Sequence, residues 1–591
     1  MLYGVRLKMI FCLLKILSIF IVNNAEAKIK QPTSPHIIMI LADDMGFDDV
    51  SFRGAKEFLT PNIDALAYHG RILDRLYAPS MCTPSRSALL TGKYPIHTGT
   101  QHFVISNEEP WGLSTNVTTA AEIFKKAGYA TNLVGKWHLG FAKTEYTPTY
   151  RGFDYHYGYW GGFIDYYQRR SKMPVPNYNM GYDFRRNLNL ECDKLDTYVT
   201  DLFTNEAERI IINNKNTKPL FLLVNHLAPH SGNEDNPLQA PAEEIRKFKH
   251  IKDPNRRIYA AMISKLDESV GRITAALERA NMLENSIIIF YSDNGAPSVG
   301  LFSNTGKNWP LRGQKNTPWE GGVRVAGAIW SPLIEARASI FKQPIYVGDW
   351  LPTLAEAADV ELPKDFELDG ISLWSELKND NTETNYKERE IVHNLDDIWN
   401  VVSYMRGPWK YINGTTSNGA YDNLITYREE YDVDPRELRY VVEVRNSATS
   451  KALRKYDKYR LTMYRIEQLR DKAAVKCGNL QRSCNALLEE CLFNLNDDPC
   501  EQNNLVWDTA YKNILNDMRE SVESYRKCAT KPGNLPGQLE YDPSRHNCAW
   551  TNFLEEAPTN NTLDCGYHGP PCLETTDVGG RNSIIHINKF I

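Results

Sequence analysis

The 591-residue sequence predicts an α/β fold: a sheet with helices on both faces, followed by a smaller C-terminal domain built on an antiparallel sheet. Three observations predict it. Short apolar runs end in acids or histidines, helical patterns fill the intervals between them, and after Glu390 the pattern changes to short hairpin-like runs. His36 to Ala42 (HIIMILA) reads as a buried parallel strand with Asp43 and Asp44 at its C-terminal end. Leu220 to Asn225 (LFLLVN) repeats the pattern and leads to His226 and His230. Ser286 to Tyr291 (SIIIFY) does so again and leads to Asp293 and Asn294. Helical spacing appears over Thr118 to Ala127, Thr197 to Ile212 and Arg257 to Ala280, and this alternation argues for helices on both faces of a sheet. Polar groups just past strand ends are where such sheets bind ligands.

Ile391 to Asn394, Val401 to Tyr404 and Trp409 to Ile412 read as a small antiparallel sheet. The stretch 421–475 is dense in Arg, Lys, Glu and Tyr. Lys451 to Lys472 within it looks helical, and its charges read as a solvated face. The predicted organisation is a signal segment over 1–27, a catalytic domain over 28–395 and a C-terminal domain over 396–591 with a charged helical insertion and a cysteine-rich tail.

The beginning of the chain reads as a secretory signal. Arg6 and Lys8 precede a largely apolar run from Met9 to Val22, and Ala25-Glu26-Ala27 fits a small-x-small cleavage site. That run is shorter than the roughly 20 residues of a membrane span, so no stable span is expected. Cys477, Cys484, Cys491, Cys500, Cys528, Cys548, Cys565 and Cys572 form an even set, expected as disulfides in an oxidising compartment. Cys192 is left over, either free or disturbing that pairing. Zinc is the alternative, but paired C-x-x-C units are missing. Asn116, Asn413 and Asn560 begin glycosylation triplets. The net charge of -5 gives no reason to expect a nucleic-acid partner.

The chemistry is concentrated in four places. Cys82-Thr83-Pro84-Ser85-Arg86 is followed by Leu90-Thr91-Gly92-Lys93. Asp43, Asp44, Asp293 and Asn294 offer hard oxygen ligands of the kind that suit calcium or magnesium. Gly135-Lys136-Trp137-His138-Leu139-Gly140 places a cation and an imidazole at i, i+2, on one side of an extended segment. Arg312-Gly313-Gln314-Lys315 lies close before Trp319-Glu320-Gly321-Gly322.

These motifs resemble those of the sulfatase family: C-x-P-x-R with L-T-G-K, the two acidic metal motifs, G-K-W-H-L-G, a later histidine near Ala228-Pro229-His230, and the segment holding Lys315. His226 competes locally with His230, and His230 is preferred. Asp48 and Asp49 are read as loop residues. Arg151-Gly152-Phe153-Asp154 through Gly161-Gly162, with Asn308-Trp309-Pro310-Leu311-Arg312-Gly313, is similar to the arylsulfatase B (N-acetylgalactosamine-4-sulfatase) group.

The resemblance implies an alkaline-phosphatase-like mixed sheet and hydrolysis of sulfate monoesters, aryl or carbohydrate. It implies that Cys82 is oxidised to formylglycine by a formylglycine-generating enzyme, and that one calcium ion is held by Asp43, Asp44, Asp293, Asn294 and residue 82. The aldehyde hydrates to a diol, of which one hydroxyl attacks sulfur and the other expels sulfate. The catalytic set is then Cys82, Arg86, Lys136, His138, His230 and Lys315, in a lysosomal or extracellular protein. Two other functions stand beside this one: a binding protein on an inactive scaffold of the same family, and a phosphodiesterase of the same superfamily.

Overall fold

A computed structural model describes residues 33–173, 180–192, 197–214, 216–379, 386–428, 437–457, 460–479, 481–537 and 541–555. The expected signal segment, Asn560, Cys565 and Cys572 lie outside these residues.

The main sheet has 11 strands. Its strands begin with β1 (His36–Ala42), β2 (Arg71–Tyr77), β3 (Ala130–Lys136), β4 (Tyr155–Tyr159) and β5 (Leu220–Asn225). It continues with β6 (Ser286–Ser292), β7 (Gly327–Trp330) and β8 (Ser339–Tyr346). The central order is β2–β7–β6–β1–β5–β3–β4. β1 pairs in parallel with β6 and β5, β5 with β3, and β3 with β4, whereas β7 runs antiparallel to β6 and β2. The parallel strands expected from the apolar runs are present, and the antiparallel β7 makes the sheet mixed, as the resemblance implies. Those runs are continuous rather than alternating because both faces are covered. Ile37, Met39 and Leu41 enter one core cluster, and Ile38, Ile40 and Ala42 enter the other.

The helices that matter here are α1 (Pro61–His69), α2 (Cys82–Thr91), α3 (Ala120–Lys126), α4 (Val199–Asn214) and α5 (Pro254–Arg279). Two of them start at a side-chain cap that the sequence signals. Thr119 and Glu122 close a capping box on α3, and the Asp253 side chain accepts from Arg256 N ahead of Pro254 in α5. α2 ends at Gly92, whose φ of 66° is the left-handed geometry glycine adopts without strain.

The second sheet has the order β9 (Glu390–Asp396), β10 (Val401–Arg406), β11 (Trp409–Asn413) and β12 (Cys491–Asn494), antiparallel throughout. The boundary expected after residue 395 falls within β9. The buried Lys410 of β11 lies 3.0 Å from Glu320 and 2.7 Å from Glu501, tying this sheet to the loop before β7.

The charged stretch departs from the expectation in one way. Among the described residues it holds three α-helices rather than one: α6 (Glu437–Asn446), α7 (Ala448–Leu453) and α8 (Met463–Ala473). Tyr440, Val441, Val444, Leu453, Ile466 and Leu469 bury one apolar side in the core of the large sheet. A helix so rich in charge holds its place through that single apolar stripe.

The cysteine reading is corrected in part. Cys477–Cys500 and Cys484–Cys491 are disulfides. Cys192 is disulfide-bonded rather than left over, as is Cys548. Cys528 is an exposed free thiol at the end of α9 (Lys512–Cys528), so the even set of eight does not hold. No described helix is long and apolar enough to cross a membrane.

Candidate active site

The C-terminal ends of β1, β6, β3 and β5 converge on the N-terminus of α2. Asp43 and Asp44 follow β1, and Asp293 and Asn294 follow β6. The register Ala42 to Ser292 brings these two ends side by side. Asp44 N donates to Asp293 Oδ1 at 3.2 Å, and the Ser292 hydroxyl accepts from Met45 N at 2.9 Å. Cys82 is the first residue of α2 and lies 3.6 Å from Asp43 Oδ1.

Cations are placed against the carboxylates. Lys136 Nζ is 2.7 Å from Asp43, and Lys315 Nζ is 2.7 Å from Asp44 and 3.4 Å from Cys82 Sγ. Arg86 Nη2 is 2.8 Å from Asp293 and 3.7 Å from Asp43. All six charged groups are buried. A buried charge is tolerable only when paired in this way. Burial pushes the Asp43 carboxyl up, but Lys136, His230 and Arg86 outweigh it and hold it below its usual range. Asp293 moves the other way, raised by burial and by Asp43. Burial disfavours the Lys315 ammonium, yet Asp44, Cys82 and Asp43 hold its pKa above that of an ordinary lysine.

The structure brings every predicted catalytic and metal-ligating residue into this one cluster. His230 Nδ1 donates to Ser231 O at 2.6 Å, which leaves Nε2 facing Asp44 at 3.4 Å. Its ring is stacked on Phe163 at 5.7 Å, and burial keeps its pKa low against the pull of Asp44 and Asp43. His226 instead sits 2.9 Å from Ser269 on α5.

His138 reaches the cluster by a route the i, i+2 spacing did not foresee. β3 ends at Lys136, and His138 has φ 59°, a left-handed turn rather than an extended step. Burial first, then Lys136, Arg86 and Lys315, hold its pKa well below 6.5, so the imidazole is neutral. Its Nδ1 has no hydrogen-bond partner. A Cβ on Gly162 would lie 2.9 Å from its Nε2, so a glycine is needed beside this ring.

Cys82 is not a thiolate: burial pushes its thiol up to about 12 despite Lys136 and Lys315. Its role must come from another chemical form or from its position.

Sequence reasoning missed Asn304 and Ser292. The Asn304 amide donates to the Asp44 and Pro229 carbonyls, clasping the two loops that carry Asp44 and His230. Asp49, read as a loop residue, accepts from Gly46 N, Lys307 N and the Tyr259 hydroxyl, and pairs with Arg256 at 2.8 Å. It fixes the loop that carries Asn304. Neither role has a local sequence signal, because most of the partners are more than two hundred residues away. Asn116 and Asn413 are exposed.

The residues fit a hard cation. Ligand atoms of Asp43, Asp44, Cys82 and His230 lie within 4.8 Å of one another. Asn294 Oδ1 is buried beside them without a partner among the described residues. A buried, unpaired acceptor among carboxylates is the deficit that a calcium-like ion satisfies.

A family model described as Sulfatase matches residues 35–360. The chain is 41% identical over 379 residues to mouse (Mus musculus) "Arylsulfatase J", covering 64% of this chain and 61% of the relative. It is 30% identical over 354 residues to mouse "N-acetylgalactosamine-6-sulfatase", covering 58% and 66% respectively. The chain thus spans less than two thirds of the length of these relatives. Among solved structures, one titled "Crystal structure of Ps i-CgsB in complex with k-i-k-neocarrahexaose" superposes with a TM-score of 0.64 at 25% identity, over 85% of this chain and 95% of that one. These relatives support the family more broadly than the expected arylsulfatase B group. With a family model over more than half its length, and that family's motifs gathered at one set of strand ends, the chain belongs to the sulfatase family.

Proposed function

We propose that this protein hydrolyses sulfate monoesters, aryl or carbohydrate, at residue 82. The observation that carries this is the set of cations, Lys136, Lys315 and Arg86, gathered beside a buried Cys82 at the start of a helix. A sulfate ester is an anion, so fixed positive charge is what its hydrolysis requires. Residue 82, once oxidised to formylglycine by a formylglycine-generating enzyme, would supply two hydroxyls on one carbon, one to attack sulfur and one to drive sulfate out. One calcium ion, held by Asp43, Asp44, Asp293, Asn294 and residue 82, would supply positive charge and make a neighbouring hydroxyl more acidic.

The chain's own groups do the rest. Lys136 and Lys315 hold sulfate oxygens, and Lys315 or His230 gives a proton to the departing alcohol. Arg86 orients Asp293 and the groups at residue 82. The neutral His138, with its unpartnered Nδ1, takes up the proton released when sulfate leaves.

The segments around Arg151 to Gly162 and Asn308 to Gly313 support the arylsulfatase B group as the subgroup. The leader-like start and the disulfides support a secretory-pathway protein, lysosomal or extracellular, glycosylated at Asn116, Asn413 and Asn560. The domain division at 27 and 395 is part of the same reading.

The test is a secreted preparation analysed three ways: peptide mass around residue 82, bound metal, and release of sulfate from 4-nitrocatechol sulfate. Formylglycine, about one calcium per chain and turnover are expected. An unmodified Cys82 with full turnover, or turnover by the metal-free protein, refutes the mechanism.

A further inference from the structure

The charged floor accounts for the sulfate group and leaves open what receives the remainder of the ester. A narrow cleft opens beside it, between the segment leading into α2 and the turn joining β9 to β10. Its walls include Met81 and Asn316, the chain neighbours of Cys82 and Lys315, together with Gln101, His102, His393 and Trp399. The free space inside is about 10 Å³, room for one water or one hydroxyl.

The lining mixes the apolar Pro79, Pro84 and Met81 with polar groups that are short of partners. His393 is 1% exposed, and neither of its ring nitrogens has a hydrogen-bond partner among the described residues. Gln101 donates its amide to the Thr530 carbonyl, while its Oε1 is buried without a partner. Buried polar atoms are normally satisfied, so the cleft has both a donor and an acceptor to offer a hydroxyl.

Trp399 lies half-buried at the mouth, with its indole 4.7 Å from the His102 ring and 5.5 Å from Phe103. The turn that carries it is held on both sides. Asp396 accepts from Ile398 N and Trp399 N through Oδ1 and holds His102 Nδ1 at 2.9 Å through Oδ2. Arg526 of α9 pairs with Asp397. The segment bearing Gln101 and His102 is tied to the floor as well: Ile105 N donates to the Thr83 hydroxyl, which donates to the His138 carbonyl.

We propose that this cleft and Trp399 form a sugar subsite, in which a sulfated hexose or hexosamine lays its C–H face on the indole and sends one hydroxyl between Gln101 and His393. The inference rests on the sulfate-ester reading above and narrows it to carbohydrate sulfates. The small sheet would then do more than close the fold, because its first turn supplies the platform. A flat aryl sulfate has no hydroxyl to fill the cleft. A site built to bind a hydroxyl discriminates strongly against ligands that lack one.

The experiment compares kcat/KM for a panel of sulfated hexose and hexosamine monosaccharides with that for 4-nitrophenyl sulfate, which has no free hydroxyl, using full-length protein shown to carry formylglycine. Trp399→Ala should lower the ratio of sugar to aryl turnover at least tenfold, through KM. Trp399→Phe, which keeps an aromatic face, should recover much of that ratio, and Gln101→Leu should lower it. The subsite is overturned if the wild type hydrolyses the aryl sulfate and no sugar of the panel. It is also overturned if Trp399→Ala or Gln101→Leu, with melting unchanged, leaves the ratio where it was. If the modified wild-type protein hydrolyses neither class, the sulfate-ester reading itself fails and takes the subsite with it.

Discussion

Two groups of buried carboxyls share this molecule and behave in opposite ways. At the strand ends, Asp43, Asp44 and Asp293 each face a cation, from Lys136, Lys315 and Arg86. Between α1 and α5, Asp64 and Asp267 are also buried, but the hydrogen bonds they accept come from neutral donors. Asp267 accepts from the backbone N–H groups of Asn62 and Ile63 and from the Asn62 amide. Asp64 accepts from Phe52 N and from the Thr60 and Tyr440 hydroxyls. Burial raises both to about 7. The second group clips helix starts together, and α6 joins it through Tyr440. Burial alone therefore does not mark a site. The first group differs in its matched charges, in the unpartnered Asn294 Oδ1 and in the neutral His138 beside it.

The largest expected effect breaks the symmetry between the groups. Asp293→Ala should lose bound metal and lower turnover on the order of a thousandfold or more, while leaving the fold in place. Asp267→Asn should do the reverse. It points an amide at the donors of Asn62 and Ile63, costing about 1–3 kcal/mol of stability, while turnover per folded molecule is kept. Metal content and urea melts on both variants decide this. Loss of metal in Asp267→Asn would show that the clip belongs to the site.

Cys82→Ser should abolish repeated turnover without unfolding, since serine has one hydroxyl where the proposed form has two. Lys315 and Lys136 still face that oxygen, so a sulfate adduct at residue 82 is expected by intact mass after incubation with an aryl sulfate. Repeated turnover without an adduct would mean that water attacks sulfur directly.

Much of the first group was legible in the sequence. Three apolar runs gave β1, β5 and β6 almost residue for residue, because strands buried on both faces need unbroken apolar stretches. Their ends then placed Asp43 and Asp293, and offered both His226 and His230, between which the family resemblance chose. The spacing of Lys136 and His138 marked both residues, but the left-handed turn at His138 depends on β4 and on Gly162. The second group was not legible. Asp64 and Asp267 lie in ordinary helical sequence, and their partners are fixed only when α1, α5 and α6 pack. Asn304 is silent for the same reason. The cysteines mislead because an even count says nothing of which thiols come close, and Cys528 ends a helix in the open.

The smallest expected effect concerns pH and separates the groups once more. A carboxyl raised to about 7 in the folded protein, against 3.8 in the open chain, keeps its proton after the unfolded form has lost it. The folded state then binds more protons between about pH 4 and 7, so stability falls as pH rises through that window. Below it the contribution is fully present, and above it the contribution is gone. One such group changes stability by at most about 1.4 kcal/mol per pH unit inside the window. Asp64 carries the same sign, as do Glu108 and Glu501, both also raised to about 7 chiefly by burial. His36, His138, His156, His226, His230 and His393, all held below 6.5 chiefly by burial, carry the opposite sign, so the share of the carboxyls is read from a variant and not from the slope of the whole protein. Asp267→Asn, which cannot titrate, should take its own share out of that slope while lowering stability at pH 5. Melting temperatures of both proteins across pH 4.5–8 test this. An unchanged slope in the variant would mean that Asp267 is ionised in the fold, and the contrast between a charged site and a protonated clip would fail.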